Sequence, residues 1–208
     1  MRKFIFAALG VTMISAAAQA SFVYAVDIRN DRFVRFDTMS PGSQTVLATG
    51  VTANYFGMDF NSTASTLYAA ASPAAGTAQL HTLNLANGAV TSNIGITGID
   101  SDANVTGLTI GASNQAFLSA NGTSGGNKLY SLNLMTGAAS FIGNMGVGGT
   151  NLIIDIAINS AGQMVAHDIA TDSFSFVNTS TGALTPIGPH GLAANFAQGM
   201  DFDHSNNT

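Results

Sequence analysis

Residues 129–143 read LYSLNLMTGAASFIG, and residues 80–94 read LHTLNLANGAVTSNI with Gly95 next. Both stretches carry an alternating apolar and polar run, an Asn, a Gly-bearing turn and a closing Ile-Gly, so the chain writes one structural unit twice. A third, more distant copy runs from FSFVNT at Phe174 through Thr181-Gly182 to TPIG ending at Gly188. Alternation followed by a Gly-bearing pair is the signature of a β-hairpin. These copies therefore predict two adjacent strands, here labelled C and D, in each of several repeats.

Working outward, each C–D pair is preceded by two further short segments in fixed order. Segment B follows a polar turn: TLYAAA from Thr66, AFLSA from Ala116 and QMVAHD from Gln163. Segment A precedes it: GMDF at Gly57, GLTI at Gly107, DIAI at Asp155, and GMDF again at Gly199. Four short strands joined by tight turns, recurring at roughly 47 residues, describe a propeller blade rather than a solenoid coil. One such sheet cannot cover both of its own faces, so the blades must stack around an axis.

The ends of the pattern are complementary. The first blade shows only B, C and D, as FVYAVDI from Phe22, RFVRFD from Arg32 and QTVLATG from Gln44, while the chain closes on an orphan A at Gly199–Phe202. Joined head to tail, the two would complete a shared blade and satisfy an otherwise open sheet edge. The expected fold is an all-β propeller of four four-stranded blades over residues 21–208.

Residues 1–20, MRKFIFAALGVTMISAAAQA, have a basic start at Arg2 and Lys3, an apolar stretch and a small-residue Ala18-Gln19-Ala20 ending. That is the pattern of a cleaved export signal, and its apolar run is short of the about 20 residues that span a bilayer. The expectation is an exported protein, periplasmic or extracellular, with no membrane insertion once the signal is removed.

Composition narrows the partners. Six Lys and Arg stand against eleven Asp, with no Glu and no Cys. Two of the six basic residues lie in the signal, so nucleic acid is an unfavourable partner, its affinity resting on neutralised phosphates. The lack of Cys removes thiolate metal sites and disulfides. The lack of Glu and near-lack of Lys, both strong helix formers, supports an all-β chain.

The LYxLNxxTGxxxxIG units resemble those of exported bacterial β-propeller repeat proteins, including families of unknown function, and more loosely quinoprotein-like and YWTD-like propellers. The resemblance covers nearly all of residues 21–208 and implies the fold, not the function. Proteins of this kind are usually longer, so a truncated larger propeller stands beside the minimal four-bladed one.

Catalytic motifs are sparse. Trp is absent, which removes the tryptophan docking of quinoprotein blades, and no GxSxG, HExxH or P-loop occurs. The four His (His81, His167, His190 and His204) show no ligand spacing, so no transition metal is expected. Two sets of acids are candidate calcium ligands: Asp100 and Asp102, which alternate as in a calcium loop but lack its Gly and Glu, and Asp59, Asp155 and Asp201, which recur in strand A and would gather near the axis. Three of the basic residues outside the signal, Arg29, Arg32 and Arg35, cluster beside Asp27, Asp31 and Asp37 and are expected to form a solvated, paired edge. The leading expectation is a monomeric, non-catalytic scaffold that binds a small ligand or a protein, without a cofactor unless calcium. The alternatives are a calcium-dependent propeller hydrolase or lactonase with a channel site, and a structural surface or biofilm protein.

Overall fold

In the computed structural model, the described residues are 21–72, 77–122, 126–146, 150–191, 193 and 199–202. The expected signal, residues 1–20, and His204 lie outside them. Within them the chain is all β, with fifteen strands and no helix. The first sheet holds β1 (Phe22–Asp27), β2 (Arg32–Asp37) and β3 (Ser40–Thr49). The second holds β4 (Tyr55–Phe60), β5 (Leu67–Ala71), β6 (Gln79–Leu83) and β7 (Val90–Gly95). The third holds β8 (Asn104–Ile110), β9 (Ala116–Gly122), β10 (Gly126–Leu132) and β11 (Ala139–Asn144). The fourth holds β12 (Ile153–Ile158), β13 (Met164–Asp168), β14 (Ser173–Val177) and β15 (Leu184–Pro189). All four sheets are antiparallel meanders in sequence order. This is the four-bladed propeller that the repeat predicts.

The repeated sentence owes its wording to the turn between strands C and D. Asn84, Asn133 and Asn178 each accept, through Oδ1, the N–H two residues ahead at 2.8, 2.9 and 2.9 Å. Each backbone carbonyl of the same Asn accepts the N–H of the turn glycine, at 2.7 Å for Gly88 and 2.8 Å for Gly137 and Gly182. The glycines sit at φ of 65°, 71° and 73°, a left-handed conformation that a Cβ disfavours. Space imposes the same choice: a Cβ on Gly137 would come 2.3 Å from the Gly95 carbonyl oxygen, and Thr97 N–H donates to the Gly137 carbonyl at 3.0 Å. Thus the turn of one blade rests on the closing Ile-Gly of the blade before.

Strand A lies innermost. β4, β8 and β12 pack against one another, and each carries a bulge at its start, between Tyr55 and Gly57, Val105 and Gly107, and Ile153 and Asp155. Bulges raise the local twist and bend the strand, which suits three strands converging on an axis. Gly57 and Gly107 permit that convergence, since a Cβ on Gly57 would fall 2.1 Å from Leu108 N.

Three apolar cores glue consecutive sheets. Phe33, Tyr55, Leu67 and Leu83 join the first sheet to the second. Leu80, Ile96, Leu108, Leu118 and Tyr130 join the second to the third. Phe117, Leu129, Met145, Ile153 and Ile156 join the third to the fourth. Between the fourth sheet and the first, the described residues show no such cluster. Among the described residues β1 has a ladder with β2 alone, and the expected pairing with Gly199–Phe202 is not formed. The segment is instead tied to the fourth blade, where Met200 N–H donates to Asp155 Oδ2 at 2.7 Å.

Candidate functional site

The strand A carboxylates are placed by a row of equivalent positions. Asp59, Thr109 and Asp201 occupy one position of the GMDF pattern, and Asp155 occupies the position that is Gly57, Gly107 and Gly199 in the other copies. Side chains in the first row brace the next blade. Asp59 Oδ2 accepts from Ile110 N–H at 2.6 Å and from the Thr109 hydroxyl at 3.1 Å, and Thr109 Oγ1 in turn accepts from Ile158 N–H at 3.0 Å. Asp155 accepts from Ile156 N–H at 2.9 Å as well as from Met200, and its Oδ1 fills the space over Gly107. A Gly-to-Asp exchange in the repeat is accommodated because a neighbouring copy keeps its glycine.

Asp59, Asp155 and Asp201 lie near enough to one another that the charges of the other two act on Asp155. Burial pushes the Asp59 carboxyl up to about 6, against the pull of its three donors. Burial raises Asp155 well above the usual carboxylate range, and the nearby Asp201 and Asp59 charges add to the rise. Their oxygens are engaged by backbone N–H groups, and among the described residues no three His, Asp or Glu side chains form a metal-holding group.

Asp100 and Asp102 are elsewhere. Asp100 forms an ion pair with Lys128, so an ammonium already occupies one carboxylate oxygen of the calcium-like loop. Asp102 lies against Gly122, where its Oδ1 would be 2.9 Å from an added Cβ. The arginine edge is paired as the sequence suggests in part: Arg32 bridges Asp27 at 2.6 Å, holding that carboxyl down at about 2, while Arg35 lies 4.4 Å from the Phe22 ring centroid.

Beside the axial acids is a feature that strand patterns do not announce. A cavity of about 750 Å³ opens between β1, β4 and Gly199–Phe202. Tyr24, Tyr55, Phe56, Phe60, Met58 and Met200 give it apolar walls, and Asp59, Asp155 and Asp201 give it an acidic floor. A volume of 300–1,000 Å³ with mainly apolar walls and a few convergent polar groups is characteristic of small-molecule sites.

Two histidine contacts also escape the sequence. Tyr55 Oη and His81 Nδ1 are 2.7 Å apart across β4 and β6. His167, in β13, and His190, just after β15, meet with their Nε2 atoms 3.0 Å apart. The signal that could have found the second pair is register: His167 lies opposite Phe174, which lies opposite Gly188, two residues before His190.

No family model matches the chain, and no curated protein matches it. Among solved structures it superposes on TolB from Acinetobacter baumannii with a TM-score of 0.53 at 10% identity, over 82% of this chain and 42% of that one. A catalytically inactive virginiamycin B lyase from Staphylococcus aureus, solved with quinupristin, gives 0.51 at 11% identity, over 88% of this chain and 59% of that one. A protein of unknown function from Bacteroides caccae gives 0.50 at 11% identity, over 83% and 60%. These are propellers, and at such identities the likeness is one of fold. The chain spans about half the length of the structures it matches.

Proposed function

We propose that this protein is an exported, non-catalytic propeller scaffold that binds a small ligand in the axial cavity. The observation that carries the proposal is the combination, in one cavity of about 750 Å³, of aromatic and methionine walls with the Asp59, Asp155 and Asp201 floor. Such a site suits a ligand with an apolar body and a hydrogen-bond-donating or cationic end. If calcium binds at all, the axial acids are its place rather than Asp100 and Asp102, because Lys128 already neutralises Asp100. The exported setting rests on the residue 1–20 pattern.

The test is a thermal-shift screen of amphiphilic amines, neutral aromatic compounds and calcium, followed by the variant Ala25→Trp, which fills the cavity from β1. Compounds that raise the melting temperature of the native protein are expected to lose that effect in Ala25→Trp and to keep it in Ala138→Trp, outside the cavity. Hits indifferent to Ala25→Trp, or a screen without hits, would remove the proposal.

A further inference from the structure

We propose that His167 and His190 form a two-imidazole site for a first-row transition ion of the zinc, copper or nickel class, on the fourth sheet. The site is independent of the axial cavity. Its geometry is set by the sheet. His167 lies in β13 opposite Phe174 in β14, and His190 follows β15, where its backbone N–H donates to the Asp172 carbonyl at 3.0 Å. The register therefore delivers both imidazoles to one side of the same strand. Phe174 fixes them there, its ring centroid 5.2 Å from each imidazole, with the two imidazoles at 78° to one another.

The distance between the donor atoms supplies the argument for a metal. Imidazole nitrogens bind zinc at about 2.0–2.1 Å, so two of them held at bond angles between square and tetrahedral stand about 2.9–3.4 Å apart. The two Nε2 atoms here are 3.0 Å apart. In the metal-free molecule that spacing accommodates an Nε2–H···Nε2 hydrogen bond; on ligation the bridging proton moves to Nδ1, so both rings stay neutral and each offers an Nε2 lone pair. Imidazole selects zinc, copper and nickel over calcium and magnesium, which prefer oxygen. The surroundings favour a cation, because the Asp168 and Asp172 charges act on His167. His190 is partly exposed, which gives an ion a route in.

The experiment uses tag-free protein with ZnCl₂, and separately CuSO₄ followed by the histidine ring signals in proton NMR. Zinc is expected to raise the melting temperature, with the rise lost in His167→Gln and in His190→Gln and absent with CaCl₂ or MgCl₂. Sub-stoichiometric copper is expected to broaden the ring signals of His167 and His190 while sparing those of His81. The copper arm needs no variant, so it decides the matter even where a substitution weakens the fold. Equal zinc response in the native protein and both variants, or copper broadening that does not select the pair, would overturn the assignment.

Discussion

Asp59 is a carboxylate that the fold would rather keep protonated. Its folded pKa of about 6 lies above the unfolded value near 3.8, so between those values the folded state binds more protons than the unfolded one. Stability then falls as pH rises from about 4 to about 6, by on the order of 3 kcal/mol for this group. Asp155 adds to the same slope, while His81 and His167, pushed below their usual values by burial, act in the opposite sense near pH 6.5. Comparing Asp59→Asn with the native protein in urea melts isolates the first term. The amide removes one acceptor oxygen at every pH, so the difference is expected to shift in the variant's favour as pH rises from about 4 to about 7; a flat difference would refute it. A second residue makes the turn argument quantitative. Gly137→Ala is expected to cost about 2–3 kcal/mol, since the added Cβ meets both a left-handed φ of 71° and the Gly95 carbonyl at 2.3 Å, whereas Gly162→Ala, at a φ of 81° with open space around it, is expected to cost only about 1 kcal/mol.

At the scale of elements, the strands were legible because half-buried sheets alternate and turns need Gly and Asn. TLYAAA, LHTLNL and LYSLNL overlap β5, β6 and β10, their ends offset by no more than three residues. What the pattern could not convey is anything created by two blades meeting. Asp155 in a glycine position is an anomaly in the sequence; only the void over Gly107 explains it. His167 and His190 look unrelated until the β13–β14–β15 register is known, and the cavity depends on whether Gly199–Phe202 hydrogen-bonds to β1. That last point can be measured. β1 is paired on one side only, so its cavity-facing amides are expected to exchange with solvent well before those of β9, which has partners on both sides. Equal protection would mean that Gly199–Phe202 pairs with β1 in solution.

For the whole molecule, the decisive fact is that, among the described residues, three junctions between sheets have apolar cores while the fourth shows Met200, Phe202 and the hydrogen bond to Asp155. Deleting residues 199–208 is expected to lower stability by about 1–3 kcal/mol, less than full burial of two large side chains would imply, because Met200 and Phe202 are only partly buried. The measurement is the urea midpoint at unchanged slope, and no shift would show that the segment contributes nothing to closure. Among the described residues, then, the three cores link the sheets as a row from the first to the fourth. Fraying should start at the first and fourth sheets and travel inward, as in linear repeat arrays. The same seam makes the architecture extensible: another blade inserted between the fourth sheet and the first would disturb none of the three cores, so this arrangement can grow by duplication without first having to be taken apart.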